Sequence, residues 1–316
     1  MIINIPGNLL ILGEYVVTVK GGLGVAIAID ERVFIKTEPG DTLTVTGVFA
    51  GKNYRWQETF PSSPDTRLIE TVWRETSIHL AGKNIPLRID VDSSRFYYPD
   101  GRKKGFGSSA AVCAGLVYAF LRDALKREPD LAGEVFPLAL KAHRAFQRGR
   151  GSGYDVAASI FGGAGILTGG KCPRWRGINL PEEEPFYLVK GDKAVSTVDA
   201  IEAFTRWRNT EPENFEKFCA MSNRRISVFG KSPSRDDLRR AFRGCRWLGK
   251  WIGKKINFPA EGPCLRERLK RYAKEGCLVK ALGAGSEIGI VWGPAAGGGR
   301  FLEEISIAGK GLTCIQ

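Results

Sequence analysis

Apolar and polar positions alternate along the first ~60 residues, and this pattern predicts mostly β-structure there. Glycine-containing breaks separate the apolar segments, and Pro6 and Gly7 are predicted to end the first strand. Thr42, Thr44 and Thr46 occupy every second position, which is typical of a half-buried strand. The apolar or alternating segments of this region are residues 2–5, 9–12, 23–29, 32–37 and 42–47.

Helical spacing of apolar residues begins near residue 68 and changes character towards the second half of the chain. Residues 110–125 are apolar on nearly all faces at first, which indicates a helix buried in a core. The other predicted helices are residues 68–79, 131–146, 156–161, 199–207, 214–226 and 236–252, and the other predicted strands are residues 87–91, 166–167, 186–189, 278–282, 288–291 and 305–307. A turn is predicted at residues 98–101. The change of composition predicts two domains, residues 1–175 and 176–316.

A glycine- and serine-rich loop, KKGFGSSAA from residue 103, directly precedes the buried helix. The first turn of a helix has unpaired N–H groups and a positive dipole end, and together these form a site for phosphate. A Cβ at Gly107 is expected to crowd the amides that face the phosphates. An ordinary turn with serine as the helix N-cap is the alternative. The residues assigned to this site are Lys103, Lys104, Gly105, Gly107, Ser108, Ser109 and Ala110.

Charge and cysteine content narrow the possible functions. The net charge of +13 fits either an enzyme for polyanionic small molecules or a nucleic-acid binder. The sequence lacks zinc-finger spacings and RNP-like patterns, so no nucleic-acid partner is expected. The seven cysteines include no CxxC pair, which favours reduced thiols in a cytoplasmic protein. No apolar run reaches the ~18 residues of a membrane span, and no signal peptide is evident.

Four segments in order resemble the motifs of the GHMP kinase family. PGNLLILGEY from residue 6 is similar to the first motif, KKGFGSSAA from residue 103 to the second, and KALGAGSE from residue 280 to the third. GSGYDVAASIFGG from residue 151 is similar to the segment that carries the active-site aspartate of the family. The resemblance extends from residue 6 to about residue 291.

This resemblance implies a two-domain α+β fold, with an N-terminal domain of the ribosomal S5 domain 2-like type and a ferredoxin-like C-terminal domain. It implies ATP and magnesium as cofactors, and the closest likeness, to the branch that phosphorylates phosphomevalonate, implies that acceptor. By position Asp155 and Lys104 are the catalytic residues, and Ser109 is a magnesium ligand. The residues assigned to the acceptor are Asn8, Glu14, Tyr15, Lys103, Arg148, Ser152, Ser196, Thr197, Gly283, Ala284 and Gly285.

The chain departs from the family pattern at three points. Asn8 stands where relatives usually have lysine or arginine, and Ser286 and Glu287 replace small residues of the third motif. Mevalonate kinases have a magnesium-binding glutamate about eleven residues before the aspartate, a place that falls near Arg144 here. The alternatives are a kinase for mevalonate or a sugar, and a protein of this fold that binds a ligand or nucleic acid without catalysis.

Several assigned residues also have a purely structural interpretation. Asp155 fits the cap of the helix after Gly153, Arg148 fits a solvated surface, and Ser196 with Thr197 fits a helix cap. His79 and His143 are the only histidines, and neither lies in a glycine-rich segment, so no catalytic role is expected for them. The oligomeric state is expected to be a monomer or a homodimer.

Overall fold

The structure is a computed structural model that describes residues 1–49, 52–58, 63–181, 184–191, 197–283, 287–294 and 302–315. The chain divides into two compact units. Unit 1 comprises Met1–Leu9, Ile27–Gly163 and Ile307–Gln316, and unit 2 comprises Leu10–Ala26 and Ala164–Ser306. These units interleave along the chain, whereas the sequence analysis divided it once, between residues 175 and 176. The interleaving has a simple origin in unit 1, where Ile2–Asn4 pair with the C-terminal strand.

The elements follow the predicted order, with some additions. In the first half they are β1 (Ile2–Leu12), β2 (Leu23–Pro39), β3 (Thr44–Phe49), β4 (Lys52–Gln57), α1 (Arg67–His79), β5 (Leu87–Asp92), α2 (Ser108–Leu125), α3 (Phe136–Phe146), α4 (Tyr154–Phe161), β6 (Ala164–Thr168) and β7 (Arg174–Ile178). In the second half they are β8 (Phe186–Lys190), α5 (Thr197–Thr210), α6 (Pro212–Ser227), α7 (Arg235–Lys255), α8 (Pro263–Lys274), β9 (Leu278–Ala281), β10 (Ile288–Trp292), β11 (Leu302–Ile305) and β12 (Thr313–Ile315).

Unit 1 contains four helices and most of a mixed sheet. The strand order is β12-β1-β2-β5-β3-β4, with β3 parallel to β5 and antiparallel to β4. α2 contacts α1, α3 and α4, and its residues 110–121 are all buried. Among the described residues, α2 is the one helix long and apolar enough to span a membrane, and 67% of that stretch is buried. Contact with the neighbouring helices accounts for its apolar composition.

Two expectations for unit 1 are wrong in detail. Pro6 and Gly7 do not end the first strand, because β1 continues to Leu12. A Cβ at Gly7 would lie 2.8 Å from the carbonyl oxygen of Phe106, so this glycine permits a close approach of backbone and not a turn. The helix predicted from residue 131 begins with a single π-helical turn at Leu131–Val135, and α3 follows it.

Unit 2 contains an antiparallel four-stranded sheet in the order β11-β8-β10-β9 and the hairpin of β6 and β7. α8 packs on β8, β9 and β10, and Leu265 and Leu269 supply its fully buried positions. α5, α6 and α7 enclose an aromatic cluster in which Phe204, Trp207 and Phe218 are almost completely buried. The large apolar faces of these helices explain why their charged residues lie on the opposite side.

Candidate active site

The loop before α2 has the geometry of an anion site. Gly107 is the N-cap of α2 with a left-handed φ of 71°, and Ser108 and Ser109 are the first two helical residues. The serine N-cap alternative is therefore wrong, and neither serine hydroxyl is used in that way. Ser108 forms a hydrogen bond with the hydroxyl of Tyr97, whose pKa is raised by burial. The N-terminus of this 18-residue helix thus presents two serines beside its dipole.

A cleft in unit 1 opens beside these serines. One part of its wall is apolar and aromatic, and another part is polar and carries both a basic residue, Lys103, and an acidic residue, Asp65. The apolar wall includes Leu68, Ile69, Val112 and Phe146, and the polar wall includes Tyr97, Lys103, Ser108 and Ser109. The cleft thus combines a surface for a planar apolar group with one for an anion.

Asn8 contacts the loop that precedes α2. Its side chain is 2% exposed, its amide nitrogen donates to Ser159 Oγ at 3.0 Å, and its backbone N–H donates to the carbonyl of Phe106 at 2.9 Å. A Cβ built on Gly107 would overlap the Asn8 carboxamide. The expectation that a Cβ at Gly107 crowds the amides facing the phosphates did not include this contact, in which the Cβ would displace the Asn8 side chain. Asn8 is buried, and its assignment as an acceptor contact stays a prediction.

Ser109, His143 and Asp155 form a connected row in unit 1. The distance from Ser109 Oγ to His143 Nε2 is 3.1 Å, and that from His143 Nδ1 to Asp155 Oδ2 is 3.5 Å. The His143 side chain is 3% exposed and that of Asp155 18% exposed. Asp155 is the second residue of α4, and its Oδ1 accepts from the N–H of Val156 at 2.9 Å. Gly153 is the N-cap of α4, so the capping role considered for Asp155 is not observed.

The other residues assigned in unit 1 have diverse surroundings. Lys104 Nζ lies 3.1 Å from Glu31 Oε1, so its role as a catalytic cation stays a prediction. Ala110 is fully buried and its N–H donates to the carbonyl of Gly107, and its assignment as a ligand contact stays a prediction. Lys103, Gly105 and Arg148 are exposed, and Ser152 is buried.

A second group of assigned residues surrounds a cavity in unit 2. Glu14, Tyr15 and Gly283 line it together with Lys280 and Cys245. Glu14 and Lys280 form a buried ion pair, and burial raises the pKa of Glu14 although Lys280 opposes this. The Tyr15 hydroxyl is buried and finds no hydrogen-bond partner in the described part of the chain. Burial and the charge of Glu14 raise the pKa of Tyr15 to about 12, so its hydroxyl is a proton donor at neutral pH.

Three assigned residues, Ser196, Ala284 and Gly285, lie outside the described residues. Thr197 is the first residue of α5. The assignments of these four residues stay predictions.

A charged cluster, formed by Glu261 with Arg246 and Lys250 of α7, borders the cavity of unit 2. Glu261 has a side chain only 1% exposed and binds Arg246 through both carboxylate oxygens, at 2.5 and 3.0 Å. Lys250 Nζ is 3.1 Å from the same carboxylate. Burial raises the pKa of Glu261, but the hydrogen bonds and charges of Arg246 and Lys250 outweigh burial and keep the pKa below its usual range.

Glu261→Gln is expected to lower the free energy of unfolding by about 3 kcal/mol at pH 7, because it leaves half-buried Arg246 without a charged partner. A depressed carboxyl pKa stabilises the fold above its usual value of about 4.3, and this stabilisation is lost as the pH falls through the folded-state pKa. The difference between wild type and variant should therefore shrink near pH 3. Urea unfolding at both pH values measures it. Glu134→Gln, which alters the exposed pair with Arg127, is the control and should change much less.

Sequence reasoning missed two of these site residues. His143 was set aside because it lies outside the glycine-rich segments, and Lys280 was quoted as the first letter of the third motif without a role. A signal for His143 was present, because it continues the apolar helical spacing of Phe136, Ala139 and Leu140. A polar residue on a buried helix face requires a partner.

Known proteins resemble this chain in sequence and in fold. Residues 67–163 match the model of the GHMP kinases N terminal domain. The phosphomevalonate kinase of Saccharolobus solfataricus is 31% identical over 163 residues, which are 51% of this chain and 47% of that protein. The phosphomevalonate kinase of Streptomyces sp. (strain CL190) is 31% identical over 181 residues, 50% of this chain and 46% of that protein. The chain spans about half the length of the curated relatives it matches.

Solved structures extend the likeness to the whole chain. The Lin0012 protein from Listeria innocua has a TM-score of 0.84 at 18% identity, covering 99% of both chains. The Streptococcus pneumoniae phosphomevalonate kinase in complex with phosphomevalonate and AMPPNP has a TM-score of 0.73 at 17% identity, covering 94% of this chain and 93% of that chain. These likenesses confirm the predicted two-domain α+β fold of GHMP kinases.

Proposed function

Because this chain has the fold of the GHMP kinases and carries their N-terminal domain over residues 67–163, we propose that it is an ATP-dependent kinase that phosphorylates phosphomevalonate. The observation that carries the kinase proposal is the Gly107-capped start of α2, which offers two serines and a helix dipole to an anion. The choice of acceptor is supported by the names of the relatives that are 31% identical.

The cleft in unit 1 suits ATP. The phosphates take the N-terminus of α2, where glycine allows the backbone to come close. The adenine ring takes the apolar wall formed by Leu68, Val112 and Phe146. Exposed Lys103 adds positive charge at the mouth of the cleft.

Magnesium fits the donor atoms of the same site. Ser109 Oγ and the Asp155 carboxylate are hard oxygen donors, and Mg²⁺ is commonly bound by one carboxylate together with substrate phosphates. His143 contacts both residues. We propose that Ser109 holds the ion, which would neutralise charge on the transferring phosphoryl group, and that Asp155, across the imidazole from Ser109, contributes negative charge to the site.

The cavity of unit 2 supplies the polar groups proposed for the acceptor. The Tyr15 hydroxyl is buried without a partner among the described residues, and such a group has a hydrogen bond to offer. Lys280, paired with Glu14, adds a buried cation. Tyr15 has a positive φ of 64°, which is rare for a non-glycine residue and occurs often at binding sites.

The proposed reaction forms a bond between a phosphate oxygen of the acceptor and the γ-phosphorus of ATP, and it breaks the bond from that phosphorus to the bridging oxygen of ADP. A phosphate monoester has a second pKa near 6, so the attacking oxygen is already ionised at neutral pH. Asp155 therefore has little need to accept a proton, and its proposed role is to orient the cation beside Ser109. Catalysis then depends on positioning and on charge neutralisation.

A paired assay of ADP release tests the proposal. With magnesium and ATP, we expect turnover with phosphomevalonate and at least 10²-fold lower kcat/KM with mevalonate, since an anion site rejects a substrate that lacks the charged group. Equal turnover of mevalonate or a sugar would assign a different acceptor. Binding of ATP without turnover of any of these substrates would favour a ligand-binding protein.

A further inference from the structure

His143 is the least exposed member of the row formed by Ser109, His143 and Asp155. Each of the three residues comes from a different helix, α2, α3 and α4, and the two outer residues are the second residues of their helices. The imidazole is 3% exposed and stacks on Phe146, whose ring centroid is 6.4 Å away. Ligands in the cleft therefore meet Ser109, while His143 lies behind it.

The order of the contacts determines which atom of the imidazole carries the proton. Nδ1 faces the carboxylate of Asp155, which accepts hydrogen bonds and does not donate them when ionised. The proton of neutral His143 is thereby favoured on Nδ1, and Nε2 remains an acceptor. The Ser109 hydroxyl then donates its single proton to Nε2 at 3.1 Å.

A hydroxyl whose proton is already donated has only lone pairs left for a ligand. Such an oxygen is attractive to a cation and unattractive to a phosphate oxygen, which is itself an acceptor. If His143 were absent, the Ser109 hydroxyl would be free to rotate and to donate to phosphate instead.

We propose that His143 is a positioning residue that fixes the Ser109 hydroxyl as an acceptor, so that Ser109 binds the divalent cation and not the phosphate. This inference rests on the proposed function for the nature of the ligands. In this proposal His143 orients a ligand of the cation and is not a ligand itself. It therefore differs from the magnesium-binding glutamate of mevalonate kinases, whose place falls near Arg144 in this chain.

Cation binding to the full-length protein measures this role without catalysis. Mn²⁺ is titrated by electron paramagnetic resonance in the presence of saturating ADP, and ADP affinity is measured separately by calorimetry in EDTA. His143→Phe is expected to weaken Mn²⁺ binding by about 10- to 100-fold, as loss of a partner that orients a metal ligand typically does. The ADP affinity without metal should change by less than about twofold. His79→Phe, at the exposed second histidine, is the matched control and should change neither value.

Two amide variants separate the two contacts of the imidazole. Glutamine reaches the position of Nε2 and keeps an acceptor for Ser109, whereas asparagine reaches only the position of Nδ1 and keeps a donor for Asp155. His143→Gln should therefore retain more Mn²⁺ affinity than His143→Asn. In a Ser109→Ala background, His143→Phe should add no further loss, because its effect acts through that hydroxyl.

Unchanged Mn²⁺ affinity in a folded His143→Phe variant, or an equal loss in the Ser109→Ala background, would overturn the inference. So would asparagine performing as well as glutamine. If His143→Phe fails to fold, the comparison of His143→Gln with His143→Asn decides alone.

Phosphate found on Ser109 by mass spectrometry after incubation with ATP would instead identify the row as a nucleophile with its base. Normal cation behaviour without turnover of any acceptor would refute the proposed function and leave this inference intact, whereas absence of ADP and Mn²⁺ binding in the wild type would refute both.

Discussion

Asp155→Asn is expected to lower kcat by about 10²-fold at limiting magnesium, and the loss should ease as the magnesium concentration rises. The variant keeps the shape of the side chain and an oxygen that can accept from the N–H of Val156, so α4 should still begin at the same place. It removes the negative charge beside His143 and Ser109 that the proposed cation needs. Circular dichroism and thermal unfolding check that the variant is folded, and steady-state rates at several magnesium concentrations measure the effect.

The pH dependence of the wild-type enzyme provides the contrasting test for Asp155. If the acceptor's own phosphate determines the ionisation, kcat/KM should rise with an apparent pKa near 6. A general base contributes about 10²–10⁴-fold only when a proton must move in the reaction. A profile that follows an enzyme group, combined with no rescue of Asp155→Asn by magnesium, would make Asp155 the general base and weaken the case for a phosphorylated acceptor.

The motifs and most helices and strands were predictable, because each depends on residues that are close together in the sequence. The N-terminus of α2 followed from adjacent glycines, serines and an apolar run, and α1 and β5 followed from periodicity alone. β4, β7, α8 and β12 were not among the predicted segments. β12 has only three residues, and the N-terminal strand with which it pairs lies more than 300 residues earlier. A strand that depends on such a distant partner has little local pattern of its own.

The structural role of each glycine was difficult to predict, because a turn and a close approach of backbone both require glycine. Gly7 was interpreted as a strand break, but it allows the backbone of β1 to pass close to the carbonyl of Phe106. Gly107 was interpreted as a residue of an anion loop, which stays a prediction, and its neighbour in space is Asn8, ninety-nine positions earlier. A sequence shows that a Cβ is absent, and only the fold shows what the Cβ would have met.

The residues that pair with each other in the candidate site are also far apart in the sequence. Glu14 and Lys280 are 266 positions apart, and the partner of Asn8, Ser159, is 151 positions away. Each member was visible within a motif, but nothing in the motifs said which residues would bind each other. The physical reason is that a buried polar group must find a partner, and the choice depends on which elements the fold brings together.

Gly107→Ala is expected to lower the free energy of unfolding by about 3 kcal/mol, more than its effect on a ligand site would require. The left-handed φ of 71° costs an alanine about 1–2 kcal/mol, and the Cβ must also displace the buried Asn8 carboxamide from Ser159. Gly149→Ala is the matched control, because its φ of 80° is similar but nothing lies within 4 Å of the added Cβ, so only the backbone cost should appear. Urea unfolding of both variants measures the difference.

Replacing Asn8 by glycine in the Gly107→Ala background should recover part of the loss, giving a coupling of about 0.5–3 kcal/mol between the two sites. Equal destabilisation of the two alanine variants, with no coupling to Asn8, would contradict the contact and return Gly107 to a role confined to the phosphates.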